Sequence, residues 1–336
     1  MAASRLGQTD SSPIAPAAIT ALSRRHRLRP LEALPWIAAL ASYFLFPDYL
    51  ALGAQILIAI LFALSLDLIL GYAGIVTLGQ AAFFGMGAYT AGILAVHGWT
   101  EPISGLLAAA AAAGTLGIVT GFVVLRTEGL PLLMLTLVVA EMIAEIANKW
   151  DALTGGADGL QSMTIAPVFG LFRFDLLGRT AFGYALAVLF LCWLLVRAIV
   201  YSPFGRSLTG IRENATRMHA IGAPVLTRRI TVYAIAGSLS GIAGALLAQT
   251  EQFVGLQTLS FERSGGVVIM LILGGTGRLY GAFIGVPLYM LAQDQLAERY
   301  PVYWSAGIGV LLIAVALGAR GGAFGLWDRA SHWIAR

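Results

Sequence analysis

Long blocks of apolar residues, separated by short polar or charged stretches, make up most of this chain. A membrane-spanning helix needs about 20 mostly apolar residues, and the blocks are close to that length. The third, eighth and ninth blocks are short or rich in glycine, so they could be half-helices or re-entrant segments. The pattern predicts an all-α polytopic membrane protein with about ten transmembrane segments, at 32–50, 53–71, 78–97, 103–125, 130–149, 181–200, 230–250, 260–277, 281–297 and 303–319.

The composition supports lipid as the solvent for most of the chain. Of the 336 residues, 58% are hydrophobic and 11% are charged, whereas a soluble domain carries roughly 25% charged residues. The mean hydropathy is +0.82. The net charge of +4 does not indicate nucleic-acid binding, because the arginines are confined to a few loops, as topology signals would be.

No pattern typical of a metal, nucleotide or hydrolytic site occurs in the sequence. The single cysteine, Cys192, and the scattered histidines lack metal-ligand spacing. The segment 274–281 is glycine-rich but lacks the GK[ST] ending of a phosphate loop, so we predict a tight turn between two helices there. We expect no catalytic residue, metal or cofactor on this chain. If ATP drives the protein, ATP and Mg bind to another chain.

The placement of arginines predicts which side of the membrane each loop occupies. A cluster at 24–29 precedes the first apolar block, and the positive-inside rule puts it in the cytoplasm. Counting spans from there puts the basic loop 202–229 inside and the loop 149–180 outside. We therefore predict a disordered cytoplasmic tail over 1–30, a transmembrane domain over 31–320 and a cytoplasmic tail over 321–336. Eight or nine spans are the alternative if a glycine-rich segment does not cross.

Residues 71–89 combine glycines with polar groups inside an apolar block. A broken helix survives at membrane depth only where protein or a water-filled cavity surrounds it. A helix that starts near residues 78–80 would leave backbone N–H groups free for an anionic carboxylate. Close packing of helices through small residues is the other explanation. The candidates for lining a translocation path are Tyr72, Thr77, Gly79, Gln80, Phe83, Phe84 and Tyr89.

Several carboxylates lie in or near the apolar blocks, where a charge is costly and marks a functional hypothesis. Asp67 lies deep enough in its span to need a partner. Glu141 and Glu145 are four residues apart and share a helix face, with Glu145 at the external mouth. A structural or gating role and a role in ion coupling both remain open for the set Asp67, Glu128, Glu141, Glu145, Glu262 and Asp294.

The basic loop 202–229 has the pattern of a short amphipathic helix. Proline and glycine at 203 and 205 end the preceding span, and Gly222 and Pro224 stop the helix. Such a helix could lie in the lipid headgroup zone or dock in a groove on a soluble partner. Apolar residues recur at helical spacing at Leu208, Ile211, Ala215, Met218 and Ile221.

The sequence resembles the M-type permease subunits of the branched-chain amino acid ABC transporters, over roughly residues 50–320. The resemblance is carried by the order and spacing of the segments LGYAGIVTLGQAAFFGMGAY at 70–89, LTGGADG at 153–159, SPFGRSLTGIREN at 202–214 and GSLSGIAGAL at 237–246. It implies a multi-pass subunit of a bacterial inner membrane with both termini cytoplasmic. The implied partners are membrane lipid, a second paralogous permease chain, two ATPase subunits and a periplasmic substrate-binding protein.

The resemblance also implies a role for the basic loop, since the family's coupling helix matches Gly205 to Gly222. The residues expected to contact the ATPase or shape that helix are Gly205, Arg206, Ile211, Arg212, Glu213, Asn214 and Gly222. Members often carry His where Gln80 stands, an acidic residue where Ala215 stands and Asn where Ala223 stands. The first departure leaves the substrate open, and the other two concern the choice of ATPase partner.

The resemblance leaves the transported solute open. Branched-chain amino acids are the default, and urea, amides and aromatic acids are the alternatives within the same importer class. Outside that class, the alternatives are a secondary transporter or channel that works alone and an intramembrane enzyme, which would need a polar catalytic cluster at one depth that the sequence does not show.

Overall fold

The computed structural model describes residues 33–161, 163–167 and 178–299, together with 306, 307 and 309. The predicted tails 1–30 and 321–336 lie outside these residues, as does nearly all of the predicted span 303–319. The chain divides into two compact units, Met1–Ala41 and Ser42–Arg336. The described part of the first unit is the start of a helix, and the second unit contains all the features discussed below.

Helices account for nearly all of the described structure, and no strand occurs in the described ranges. The helix α1 runs across the boundary between the two units. The others belong to the second unit, and α6 is a single short turn. Their bounds are Leu34–Leu45 for α1, Leu50–Asp67 for α2, Gln80–Val96 for α3, Pro102–Val124 for α4, Leu130–Lys149 for α5, Asp151–Thr154 for α6, Arg179–Tyr201 for α7, Pro203–Glu213 for α8, Ala215–Ala220 for α9, Val225–Glu251 for α10, Phe261–Gly274 for α11 and Gly281–Arg299 for α12.

The helices confirm the predicted all-α membrane class. Five helical stretches in the described residues are long and apolar enough to cross a membrane. They correspond to α2 with its flanking turns, α4, α5, α7 and α10. The third and eighth predicted spans are shorter helices, with 17 residues in α3 and 14 residues in α11. The ninth, α12, contains Pro287 inside the helix.

The core forms where α10 packs against α3 and α4 through small residues. Gly244 lies against the carbonyl group of Phe84, Gly87 lies against the backbone of Gly241, and Gly241 in turn lies against Ala113. Small residues let helix backbones approach closely, which is how helices associate where lipid provides no hydrophobic driving force. The α10 helix is therefore the central helix of the second unit.

The turns and loops between helices gather at two opposite ends of the helical bundle. At one end, Arg212 of the loop 202–224 binds Gly71 and lies close to Gly277 of the turn 275–280. Arg229, near the start of α10, pairs there with Glu128 of the turn 125–129. At the other end, Gln249 accepts a 2.9 Å hydrogen bond from Tyr184 and donates one of 2.8 Å to the Pro102 carbonyl. Leu160 pairs there with Val254 in an antiparallel bridge. The side of the membrane that each end faces stays a prediction of the arginine pattern.

A β-carbon added to Gly244 should destabilise the fold, because it would overlap the carbonyl oxygen of Phe84, which is backbone and has little room to move. We expect Gly244→Ala to lower the free energy of unfolding by about 1–3 kcal/mol, measured by thermal unfolding in detergent. Gly183→Ala on α7 is the matched control, since its new methyl group would meet open space. Equal melting temperatures for the two variants would contradict the packing described here.

Candidate functional site: the basic loop and the broken segment

The chain between α2 and α3 is irregular in the interior of the protein. After Asp67 the helix widens into a π-helical turn over Leu68–Tyr72, and residues 73–79 have no regular structure. We call residues 68–79 the broken segment. Gly74 has a φ of 70°, a left-handed conformation that glycine adopts without strain. The predicted break and the predicted helix start near residues 78–80 are both confirmed.

Hydroxyl groups from neighbouring helices bind the backbone where α3 begins. Leu78 donates its N–H to Oγ1 of Thr136 on α5, with N and O 3.3 Å apart. Ala81 donates its N–H to Oγ of Ser264 on α11, at 2.9 Å. Gly79 donates to Oγ1 of Thr77, at 3.1 Å. These N–H groups are therefore occupied, and the prediction that the helix start leaves its donors free for a carboxylate is wrong for these three.

The side chain of Gln80 is enclosed at the same place, with 0% of its surface exposed. Its Nε2 donates to Oγ of Ser65 at 2.9 Å, and its backbone carbonyl accepts a 3.3 Å hydrogen bond from Ser240. Its Oε1 has no hydrogen-bond partner among the described residues. Ser240 lies near the middle of the 27-residue α10, so the start of α3 lies near the middle of the bundle.

The residues predicted to line a path are packed inside the chain rather than exposed on a surface. Tyr72 is half-buried, and the other candidates are buried. The Phe83 ring contacts the Tyr233 ring edge-on, with centroids 5.2 Å apart, and the Phe84 ring lies 4.6 Å from the Phe62 ring. Of the two explanations for the glycine-rich stretch, close helix packing describes this conformation.

The basic loop forms two helices where the sequence predicted one. The Oδ1 of Asn214 accepts the N–H of Arg217 at 2.9 Å, and Asn214 itself is extended, with φ −158° and ψ 95°. A side chain that caps a helix start in this way begins a new helix. The chain therefore breaks between α8 and α9, and the prediction of one continuous helix over 205–222 is wrong.

The two helices differ in burial. Leu208 and Ile211 of α8 are buried against the rest of the chain, as is Gly205. Gly205 lies so close to the carbonyls of Ile199 and Val200 that a β-carbon would overlap them. No residue of α9 is buried, and Ile221 just after it is 76% exposed. The predicted apolar stripe through Ala215 and Met218 is therefore not a buried face.

Arg212, at the end of α8, reaches back to the broken segment. Its Nη1 donates a hydrogen bond to the Gly71 carbonyl. Its aliphatic stem lies over Gly74, where a β-carbon would come within 2.7 Å of Cγ of Arg212. Arg212, which the resemblance assigned to the ATPase contact, therefore binds within its own chain. Of the other residues assigned to that contact, Arg206, Glu213, Asn214 and Gly222 are exposed, whereas Gly205 and Ile211 are buried.

Asp67 ties the same region to the turn between α11 and α12. Its side chain is 2% exposed, and its Oδ1 accepts the N–H of Gly277 at 2.7 Å. Gly277 has a φ of 74°, which is typical of a tight turn. The expected turn over 274–281 and the expected need of Asp67 for a partner are thus both confirmed. Arg212, Asp67, Gly71 and Gly277 form a cluster that joins four parts of the chain.

The remaining carboxylates lie in exposed positions. Glu145 pairs with Lys149 at 3.1 Å, and Glu128 pairs with Arg229 at 2.5 Å. The second pair borders a cavity of about 440 Å³ between the broken segment and the turn 125–129. Glu141, Glu262 and Asp294 are also exposed. Within the residues that the structure describes, no group of three or more His, Cys, Asp or Glu side chains could hold a metal ion.

Sequence reasoning missed the hydroxyl groups that bind the start of α3. Thr136 and Ser264 lie far from the broken segment along the chain, and each is almost fully buried. The available signal was a hydroxyl residue in the middle of an apolar block, since a buried polar group must find a partner. That signal does not say which partner a given hydroxyl will find.

Comparison with known proteins identifies the family. The model of the family described as branched-chain amino acid transport system / permease component matches residues 49–316. The chain belongs to this family. Membership confirms the expected permease role and the membrane-embedded class, and the family is not a family of enzymes. No solved structure matches the chain.

Curated relatives of this permease include several import proteins. The high-affinity branched-chain amino acid permease LivM of Escherichia coli K12 is 27% identical over 285 residues, which cover 76% of this chain and 66% of the relative. LivM of Salmonella typhimurium is 25% identical over 311 residues, covering 84% of this chain and 72% of the relative. The autoinducer 2 import permease LsrC of Klebsiella pneumoniae is 29% identical over 213 residues, covering 60% and 52%.

Loss of the Asp67 side chain should destabilise this permease, because the half-buried N–H of Gly277 would lose its acceptor. We expect Asp67→Ala to cost about 1–3 kcal/mol of unfolding free energy, measured by thermal unfolding in detergent. Asp67→Asn is the matched control, since its amide oxygen can still accept that N–H. If Asp67→Asn were as destabilised as Asp67→Ala, the charge rather than the hydrogen bond would be responsible.

Proposed function

We propose that this chain is the membrane permease subunit of an ATP-driven importer for branched-chain amino acids or a related small polar solute. Family membership supports the class of transporter, and the names of LivM relatives support the solute. The related LsrC is named for autoinducer 2, so the family spans chemically different solutes. ATP would be hydrolysed on separate ATPase subunits, which fits the lack of a nucleotide motif in this sequence.

The observation that carries the proposal is the difference in burial between the two helices of the basic loop. The first helix, α8, packs into the chain through Leu208 and Ile211, whereas no residue of α9 is buried and only Ala215 and Met218 are half-buried. Ile221 is exposed and lies close in sequence to Arg217 and His219, so it offers an apolar surface flanked by basic side chains. That combination suits a short helix that seats in a groove on a soluble protein. We assign α9 and Ile221 as the surface that meets the ATPase.

Arg212 and Asp67 would transmit the movement of the ATPase to the broken segment. Arg212 binds Gly71 within the broken segment, and Asp67 joins its start to the turn at Gly277. Glycines bring the backbones of these parts into close contact, so one part cannot shift without displacing the next. A displacement of the loop would therefore move the broken segment and the α11–α12 turn as one body, which is a rigid-body form of gating.

The complete transporter would contain further chains. A second permease chain, two ATPase subunits and a periplasmic substrate-binding protein complete the importer class to which the proposal assigns this chain. The end of the bundle that carries the basic loop would face the cytoplasm of a bacterium, because it gathers Arg126, Arg206, Arg217 and Arg228. Both termini would then be cytoplasmic.

Reconstitution tests the function directly. The chain, co-purified with the partners encoded beside it and placed in proteoliposomes, should take up labelled leucine, urea or benzoate only when ATP is supplied. ATP is required because the proposal places the only energy source on the ATPase subunits. Uptake by the purified chain alone, with no ATPase present, would overturn the proposal in favour of a transporter or channel that works independently.

Substitutions in the loop should separate assembly from coupling. Arg217→Glu on α9 should weaken binding of the ATPase about tenfold or more, measured by co-purification and titration. Arg212→Gln should leave the complex assembled and hydrolysing ATP while uptake falls about tenfold, because the loop no longer holds Gly71. Arg126→Glu, an exposed arginine at the same end, is the control for charge reversal. Normal uptake in Arg212→Gln would exclude the transmission route.

A further inference from the structure

The helices at the periphery of the bundle present different surfaces to their surroundings. In α4, which has no charged residue, the exposed side chains include Leu107, Val119 and Phe122. In α7, residues 180–196 carry no charge, and Leu191 and Leu195 are exposed. Such surfaces are suited to lipid. The exposed face of α5 is different, because it combines apolar residues with carboxylates, at Met134, Val138, Glu141, Met142 and Glu145. We call this set the outer face of α5.

Glu141 is the residue of the outer face that needs an explanation. It lies in the middle of α5, a helix apolar enough to cross the membrane. Glu145 pairs with Lys149, whereas no described residue forms a hydrogen bond or ion pair with Glu141. A charged side chain at the centre of a bilayer costs about 2.5–3.5 kcal/mol or more. Lipid is therefore an unfavourable environment for this part of α5.

The opposite side of α5 is the side that holds the start of α3. Thr136 binds Leu78 there, and helical geometry places Glu141 about 140° around the axis from Thr136 and about 7.5 Å further along it. That direction along α5 leads away from the end of the bundle that carries the basic loop. A solute that enters from the other end would therefore pass Glu141 before it reaches the depth of the broken segment.

We infer that the outer face of α5 is one wall of a water-filled path, which this chain shares with a second permease chain, and that Glu141 attracts the ammonium group of the solute. A carboxylate that the described residues leave without a partner is favourable where water or a cation solvates it. The amino acids named for the LivM relatives carry an ammonium group, which complements that charge. The inference rests on the proposed function for the second chain and for the solute. To the proposed function it adds the surface that lines the path, which is the outer face of α5, and the residue that attracts the solute, which is Glu141.

Cysteine labelling in the assembled complex tests the path without knowledge of the solute. Cys192 is the only cysteine, so Cys192→Ala gives a background for single cysteines. Val138→Cys reports the outer face, whereas Val119→Cys on α4 and Leu195→Cys on α7 are controls with similar exposure in the isolated chain. In proteoliposomes, a water-soluble methanethiosulfonate should react about tenfold or more faster at 138 than at either control. Equal rates at the three positions would overturn the inference.

A second measurement tests Glu141 itself. At Val138→Cys, one helical turn from Glu141, a cationic methanethiosulfonate should react faster than an anionic one of similar size. Glu141→Gln should lower that ratio about fivefold or more, because a carboxylate in a narrow aqueous path concentrates cations. Glu145→Gln is the matched control and should change the ratio less, since Lys149 already neutralises Glu145. An unchanged ratio in Glu141→Gln would overturn the role of Glu141.

These outcomes are independent of the test of the proposed function. If residue 138 reacts rapidly but uptake needs no ATPase, the outer face of α5 still lines an aqueous path, and the proposal of an ATP-driven importer is wrong. If uptake depends on ATP but residue 138 is unreactive, the importer proposal stands and the solute path does not run along the outer face of α5.

Discussion

The structure depends on one constraint: backbone that leaves the helical pattern inside an apolar bundle must still have its hydrogen bonds made. The broken segment and the first turn of α3 meet this constraint with partners from several helices. Thr136 of α5 and Ser264 of α11 accept the N–H groups of Leu78 and Ala81, and Ser65 of α2 binds the side chain of Gln80. The start of α3 is thereby fixed to its surroundings at the middle of the bundle.

Hydrogen bonds also join the broken segment to other parts of the chain. Leu78 donates its N–H to Thr136 of α5, and the Gly71 carbonyl accepts a hydrogen bond from Arg212 of α8, so a movement of the segment would have to exchange both. The contacts of Arg212 with Gly71 and of Asp67 with Gly277 lie at the end where the basic loop is exposed. In the proposed transporter, these contacts would carry a displacement of the loop to the broken segment.

The sequence predicted several local features correctly because their causes are local. Glycines and polar residues in an apolar block predicted the break before α3, Pro203 predicted the end of the preceding span, and Gly222 predicted the end of the helical part of the basic loop, whereas Gly205 lies inside α8. The single helix predicted over 205–222 was wrong because apolar spacing alone was considered. Asn214 was the sign of a second start, since its side chain can cap a following helix. The residues next to Arg212 in the sequence did not indicate which way its side chain points.

The amino-acid sequence by itself determined the helical membrane class, the family and the position of the basic loop, because hydropathy, charge placement and motif order are properties of the chain alone. Only the tertiary structure decided which groups meet. The partners of Leu78, Asp67 and Arg212 lie 58, 210 and 141 residues away along the chain. The contrast between the charged outer face of α5 and the apolar faces of α4 and α7 likewise appears only when packing shows which side of each helix its own chain leaves uncovered.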